Sequence, residues 1–318
     1  MKKSIYLAII LPLLFFSCIM EKEDKPIVMV STDIGGSDPD DFQSMVHFFV
    51  YGDMLRIEGL IASPPHSGRK EDIFEVIDAY EKDYENLKTY GPYPEPYELR
   101  AVSKQGATET GPPREGGNTM GSDFIIKRSQ EFAGEPIYLL VWGSLTDVAQ
   151  ALFDAPQIKS NLRVYSIGSW NTRQDTASRN YIFNNHPDLW WIESDKTFRG
   201  MYEGGHQEGD YGNVAFVEKH VKGHGALGDL FYQKKKDIKM GDTPSLLYVL
   251  SPMLSDFGNY DYPENESWGG KYRTDPDRPY YWTDIEDDRA KDAQWVNKHR
   301  KDYLDDWAKR MDRCKEPE

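Results

Sequence analysis

Four aspartates follow the first apolar run after the amino-terminal segment, within nine residues: Asp33, Asp38, Asp40 and Asp41. Carboxylates this close together repel one another unless water or a cation neutralises their charge. Calcium takes six to eight oxygen ligands from carboxylates, carbonyls and water, whereas zinc prefers Cys and His side chains, which are absent from this stretch. The spacing therefore predicts a site for a hard cation, with calcium favoured and magnesium left open.

A second explanation needs no ligand for part of this cluster. Asp40 and Asp41 directly precede a helical pattern, and the macrodipole favours acidic residues in the first turn of a helix. This explanation accounts for one or two acids but not for Asp33, which ends the preceding apolar run. We therefore favour the metal interpretation.

The surrounding sequence alternates between strand and helix patterns. Continuous apolar runs and helical spacing of apolar residues predict strands at 26–33, 56–62, 137–142 and 163–167, and helices at 40–51, 70–87 and 145–153. This alternation predicts the α/β class, with an open, mostly parallel sheet flanked by helices. Ligands of such sheets bind at the carboxyl ends of the strands, which is where Asp33 falls. Residues 90–121 predict a long loop, and residues 288–313 a single charged helix.

The amino terminus predicts export and anchoring. Lys2 and Lys3 precede a short apolar stretch that ends in Ser17-Cys18, an arrangement that resembles a bacterial lipobox. We predict a signal peptide at 1–17, an acidic tether at 18–26 and one domain at 27–318. An outer-membrane lipoprotein, periplasmic or exposed at the cell surface, would be held to the membrane through lipid on Cys18. An ordinary secretory signal is the alternative.

The formal charge of −15 argues against nucleic-acid polymers as partners, because an acidic protein repels phosphate backbones. The sequence leaves the oligomeric state open, and a homo-oligomer is among the states it allows.

Several motifs of the chain resemble one family. Thr32-Asp33-Ile34 and Pro39-Asp40-Asp41 are similar to the Asp-x-x-x-Asp-Asp signature of nucleoside N-ribohydrolases. A closer resemblance is to the nucleoside hydrolase-like domain of a bacterial cellulose-binding-protein family. It continues through these segments: Gln43–Met45, Ile57–Ala62, Leu140–Ser144, Asn185–Leu189, Gly241–Ser245 and Ser267–Gly270.

The resemblance implies a calcium-dependent glycosidase that hydrolyses an N- or O-glycosidic bond, with a small glycoside or an oligosaccharide as its expected partner. Asp33 would bind calcium and deprotonate the attacking water, and Asp40 would bind sugar hydroxyls. Asp41, the distant Asp242 and the backbone carbonyl of Trp142 would complete the calcium ligands. A non-catalytic carbohydrate-binding surface lipoprotein is the alternative.

Further substrate contacts are expected from Asn171, Asn184 and the ring of Trp142, the last of which could equally be a core residue. One position departs from the purine-specific enzymes, which place a His directly before the distant Asp to protonate the leaving base. Gly241 occupies that place. We predict His66 as the replacement acid, with His186 and His206 as other candidates.

Overall fold

The computed structural model describes residues 25–36, 38–65 and 68–315. These residues form one sheet of eight strands. The strands are β1 (Ile27–Thr32), β2 (Arg56–Ala62), β3 (Ser103–Gln105), β4 (Ile137–Val141), β5 (Leu162–Ile167), β6 (Trp190–Ser194), β7 (Arg273–Asp275) and β8 (Arg278–Thr283).

The strand order is β3-β2-β1-β4-β5-β6-β8-β7. All neighbouring pairs are parallel except β7 and β8, which are antiparallel. The open, mostly parallel sheet predicted from the sequence is therefore confirmed. The direction of strand addition reverses between β1 and β4. Ligands bind beside the carboxyl ends of the strands at such a reversal, so the topology already marks where a site should lie.

Helices cover both faces of the sheet. Within the described residues they are α1 (Asp40–Val50), α2 (Lys70–Leu87), α3 (Pro96–Val102), α4 (Met120–Glu131), α5 (Thr146–Asp154), α6 (Trp170–Gln174), α7 (Thr176–Asn185), α8 (Asn213–His220), α9 (Gly225–Lys234), α10 (Thr243–Leu254), α11 (Arg289–Asn297) and α12 (Arg300–Asp312). Short 3-10 turns lie at Gly52–Met54, Pro156–Ser160, Thr197–Met201 and Gly209–Tyr211.

Strand β1 shows how the sequence specifies this layered core. Successive side chains of a strand point to opposite faces, so an uninterrupted apolar run serves a strand that is covered on both sides. Val28 and Val30 join the cluster formed with α1, α2 and α10, whereas Ile27 and Met29 join the cluster formed with α4 and α5. The strand that leads to Asp33 is thereby fixed from both faces.

Two sequence predictions are wrong in detail. Residues 90–121 are not one loop, because α3 and the edge strand β3 lie within them, both too short to show a clear period. Residues 288–313 form two helices rather than one, with the break at Lys298 and His299. Trp307 and Met311 of the second helix are fully buried, so this segment does pack on the core.

The predicted signal peptide and Cys18 lie outside the described residues, and the lipid anchor remains a prediction. In the described ranges, no helix combines the length and the apolar composition needed to cross a bilayer.

Candidate metal centre

The sheet topology brings four aspartates together from three parts of the chain. Asp33 directly follows β1, Asp40 and Asp41 begin α1, and Asp242 immediately precedes α10. Carboxylate oxygens of Asp40, Asp41 and Asp242 lie within 4.8 Å of one another. The Asp33 carboxyl is within hydrogen-bonding reach of Asp41. The acids adjacent in sequence thus meet a fourth acid that lies some two hundred residues further along the chain.

Their environment makes the four negative charges costly. Burial, and then the charge of Asp40, raises the pKa of Asp33 to about 8. Burial and then Asp38 raise the pKa of Asp40 to about 7. Burial also raises the pKa values of Asp41 and Asp242 well above the usual carboxyl range, with carboxylate repulsion as the next cause. In the protein alone, these groups therefore resist being ionised together.

The residues present fit a hard divalent cation. The donors are carboxylate oxygens, the ligands that calcium and magnesium prefer. Among the described residues, no Lys, Arg or His forms an ion pair with Asp33, Asp41 or Asp242. The nearest ion pair lies at the mouth, where Lys239 Nζ is 3.8 Å from Asp38 Oδ2. The closest group includes Asp40 rather than Asp33, which differs from the ligand set implied by the resemblance.

Hydroxyl groups orient two of the carboxylates. The Thr32 hydroxyl donates to Asp41 Oδ1, and the Thr32 Oγ1 atom accepts from the backbone N–H of Ile34 at 3.1 Å. On the other side, Ser44 Oγ donates to Asp242 Oδ2 at 3.4 Å. Ser44 in turn accepts from the Thr243 hydroxyl at 3.2 Å. These bonds restrict the rotamers of the acids, as outer-shell partners of metal sites do.

Gln43 connects the helix of the acidic pair to the segment before Asp242. Its side-chain amide donates to the carbonyls of Lys235 and Asp237, at 3.2 and 2.9 Å. Its carbonyl oxygen accepts from the backbone N–H groups of Lys239 and Met240, at 2.9 and 3.3 Å. Gln43 is fully buried, so every one of these polar groups needs its partner. The side chain thereby positions the chain that delivers Asp242.

Replacing Gln43 should test this connection. Gln43→Ala leaves buried donors and acceptors unpaired, and each costs about 1–3 kcal/mol. We expect the free energy of unfolding to fall by more than about 2 kcal/mol, measured by urea denaturation, and calcium affinity to fall with it. Gln130→Ala is the matched control, because Gln130 is exposed on α4. Equal stability of the two variants would contradict the connecting role.

Trp142 and Asn171 form one wall of the site. The Trp142 side chain is buried, and its Nε1 donates to Ser245 Oγ at 2.8 Å. Its backbone carbonyl accepts from Asn171 Nδ2 at 2.5 Å. A carbonyl oxygen has a second lone pair, so the predicted metal contact of Trp142 stays a prediction. Gly143 permits the approach to Asp33, since a Cβ there would lie 2.9 Å from the Asp33 backbone nitrogen.

A cavity of about 290 Å³ opens above the carboxylates. Its wall contains most of the residues predicted from the sequence: Asp33, Asp40, Asp41, Trp142, Asn171 and Asp242. Asn184 is elsewhere. It is exposed near the end of α7, which leads into the amino end of β6, whereas the acids lie at the carboxyl ends of the strands. The prediction that Asn184 contacts the substrate is therefore wrong for a ligand in this cavity.

Neither His186 nor His206 lines this wall. His66 lies outside the described residues, so its proposed role as an acid stays a prediction. His186 caps the end of α7 before the amino end of β6, and His206 is exposed beside Tyr211. Gly241 lies against the acids, since a Cβ there would be 3.1 Å from Asp40 Oδ2.

Much of the remaining wall was missed by sequence reasoning. It consists of Phe198, Arg199, Tyr202 and Lys239, together with Ile167, Gly168 and Ser169 at the end of β5. Arg199 donates to Ser169 Oγ and to the Tyr202 hydroxyl, each at 3.0 Å. Lys239 Nζ lies 4.2 Å from the centre of the Tyr202 ring. Most of these residues lie in turns without a periodic pattern, so no local signal in the sequence indicated them.

This arrangement agrees with a family comparison. A family model described as "Cellulose-binding Sde182, nucleoside hydrolase-like domain" matches residues 27–272. The chain belongs to this family. Its domain also resembles solved structures, among them a nucleoside hydrolase-related protein from Saccharophagus degradans that is associated with carbohydrate metabolism. That match has 23% identity and a TM-score of 0.75, and covers 92% of this chain and 72% of that chain.

Two nucleoside hydrolases share the fold at greater distance. The inosine-uridine preferring enzyme from Bacillus anthracis has 12% identity and a TM-score of 0.54, covering 90% of this chain and 99% of that chain. The purine-preferring ribonucleoside hydrolase from Gardnerella vaginalis has 12% identity and a TM-score of 0.51, with 89% and 99% covered. At these identities the likeness shows the fold alone. No curated protein matches the chain.

Proposed function

We propose that this family member is a calcium-dependent glycosidase that hydrolyses an N- or O-glycosidic bond of a small glycoside or oligosaccharide. The observation that carries the proposal is the convergence of Asp33, Asp40, Asp41 and Asp242 below a cavity of ligand size. Asp33, Asp41 and Asp242 are buried and have no ion-pair partner among the described residues, which suits a cation and a reaction in which positive charge develops on the sugar. An oxocarbenium-like transition state is stabilised by such negative surroundings.

The residues of the site would have separate roles. Asp40, Asp41 and Asp242, with Asp33 beside them, would hold the cation. When bound, calcium would supply Lewis acidity toward water and sugar hydroxyls. Asp33 would accept the proton of the attacking water, which needs a carboxylate that hydrogen bonding holds in place. Asn171 and the backbone of Trp142 would form the wall against which the sugar lies, whereas the Trp142 ring is a core residue.

Hydrogen-bond donors for a leaving group lie elsewhere in the cavity wall. Arg199 and Lys239 line the cavity as cations, and Tyr202 carries a hydroxyl that already contacts Arg199. Burial raises the pKa of Tyr202 to about 12, so its hydroxyl stays protonated and can donate. These groups would stabilise negative charge on a departing oxygen or nitrogen in a site that has Gly241 where the purine enzymes have His.

The proposal predicts metal-dependent turnover. Purified protein with calcium should release free sugar from at least one member of a panel of nucleosides and plant-polysaccharide oligomers. EDTA should abolish the release, and added calcium should restore it, as measured by reducing-sugar assay and chromatography. Bound calcium without turnover on any member of the panel would contradict the glycosidase proposal.

A non-catalytic carbohydrate-binding protein is the second candidate. Its support is Gly241, together with a cavity wall that contains no histidine among the described residues, and the family description names cellulose binding. Calorimetry with the same glycans separates the two proposals. Binding that depends on calcium but yields no product favours the binding protein, whereas product release favours the enzyme.

A further inference from the structure

A second cleft of about 330 Å³ adjoins the cavity above the acids. The two share Ser169 and Arg199, which line both, so a molecule could extend from one into the other. The cleft lies beyond the carboxyl ends of β5 and β6. We call it the cationic cleft, and its charged lining residues are Arg173, Asp195, Lys196, Arg199 and Arg289.

Four of these side chains are cationic and one is acidic, which is an unusual composition for a cleft in a chain with a net charge of −15. Two of the cations have carboxylate partners outside the cleft: Arg289 pairs with Glu203 and Lys196 pairs with Asp287. Across the described residues, no carboxylate forms an ion pair with Arg173 or Arg199. The positive charge of these two guanidinium groups is therefore not neutralised by an ion pair in this part of the chain, although Arg199 also donates to two hydroxyls. The planar fork of a guanidinium suits carboxylate and phosphate oxygens.

The carboxylate of the one acid that lines the cleft already accepts a hydrogen bond. Asp195 Oδ1 accepts from the backbone N–H of Ser169 at 2.5 Å. This bond holds Ser169 at φ 56° and ψ −106°, a conformation that residues other than glycine rarely adopt and that recurs at functional sites. The Ser169 hydroxyl accepts from Arg199, so the same residue fixes the guanidinium at the boundary between cavity and cleft.

We infer that the cationic cleft binds an anionic group of the substrate, a carboxylate or a phosphate, next to the sugar held over the acids. The inference rests on the proposed function, and it narrows the substrate class to acidic glycosides. The carboxylates of the four aspartates below the cavity would repel such a group, whereas the neighbouring cationic cleft would attract it. A substrate with a neutral sugar at one end and an anion at the other matches both surfaces in a single orientation.

Calorimetry of the calcium-loaded protein tests the inference with two matched pairs of ligands. Cellobiouronic acid against cellobiose reports on a carboxylate, and ribose 5-phosphate against ribose reports on a phosphate. We expect at least one acidic member to bind roughly tenfold more tightly than its neutral partner, which corresponds to about 1.4 kcal/mol. A preference within the first pair would identify the anionic group as a carboxylate, and a preference within the second pair would identify it as a phosphate.

The double variant Arg173→Gln/Arg289→Gln should remove this preference and leave the neutral ligands unaffected. Both side chains line the cleft and not the cavity over the acids, and Arg173 is exposed, so the fold should persist. Lys82→Gln, an exposed charge on α2, controls for a general loss of positive charge. A circular-dichroism melt verifies that each variant is folded.

Three results would overturn the inference. The first is equal binding of the acidic and neutral members of both pairs, and the second is no binding by any ligand. The third is a preference that survives in the double variant, because the anion would then bind elsewhere, for example to calcium itself. Hydrolysis is measured separately on cellobiouronic acid and cellobiose, which contain a glycosidic bond, and on the panel of nucleosides and oligomers. An acidic preference that depends on the cleft, without product from any of these glycosides, sustains the inference and refutes the glycosidase proposal.

Discussion

Calcium should raise the melting temperature of the protein, and the rise should grow as the pH increases from about 4 to about 8. In the metal-free protein, the pKa values of Asp33 and Asp40 are raised to about 8 and about 7. Between the ordinary carboxyl pKa and these values, the folded state binds more protons than the unfolded state. The metal-free protein must therefore lose stability as the pH rises through this window.

Calcium reverses this loss because it replaces the protons as the source of positive charge. At low pH, protons compete with the metal for the same oxygens, so calcium adds little. Near pH 8, a ligand at about one hundred times its dissociation constant stabilises by about 2.7 kcal/mol. We expect a rise in melting temperature on the order of 5 °C or more at this size, measured by scanning calorimetry against EDTA.

Two variants with the same chemical change make the experiment specific. Asp41→Asn removes a buried carboxylate of the cluster and should abolish the calcium effect while reducing the pH dependence in EDTA. Asp38→Asn changes an exposed acid at the mouth and should retain most of the effect. An equal response of both variants, or no calcium effect at any pH, would contradict a metal centre built on these acids.

The sequence predicted the four strands β1, β2, β4 and β5. The apolar run of β1 and the spacing in α1 each follow from burial alone, so a local pattern was enough. Strand β6 was missed because Glu193 interrupts its apolar run. That carboxylate is buried and paired with Arg179, whose Nη2 lies 2.6 Å from Glu193 Oε2. A buried ion pair depends on tertiary contacts, which no local period contains.

The site residues likewise comprise some that a local sequence pattern indicates and others that only the tertiary fold brings together. Asp33, Asp40 and Asp41 are neighbours in sequence, so their shared chemistry was visible before the fold. Asp242 was assigned only through a family resemblance, and the packing of α10 beside α1 is what brings it to the other acids. Asn184 was assigned through the same resemblance, in which Asn side chains after strand β5 contact the sugar, whereas α7 continues through Asn185 and carries it away from the carboxyl ends of the strands.

Asp33→Asn should reduce the turnover number by about a thousandfold, the scale of a lost general base. Asparagine keeps the size of the side chain and can still accept a hydrogen bond, but it cannot take a proton from water. Asp33 is buried at the end of β1 with Asp41 beside it, so the shape of the site should persist. Steady-state kinetics on the best substrate of the glycan panel, with saturating calcium, gives the measurement.

Loss of activity through loss of the metal must be separated from loss of the base. Asp33 lies outside the closest group of carboxylates, which is Asp40, Asp41 and Asp242. Asp33→Asn should therefore weaken calcium binding less than Asp41→Asn does, and should leave glycan binding measurable by calorimetry. Asp38→Asn, the same change at the exposed mouth, should alter the turnover number by less than about tenfold, below the range of a positioned acid or base.

The pattern across these variants decides what the buried acids do. A pure binding protein has no use for a base, so Asp33→Asn would then alter only affinity. A structural calcium site would show its largest change in melting temperature, with glycan binding unchanged in every variant. Only a hydrolase requires that Asp33→Asn still bind calcium and glycan while releasing almost no product. Turnover by Asp33→Asn close to that of the unaltered protein would rule out the role of Asp33 as the base.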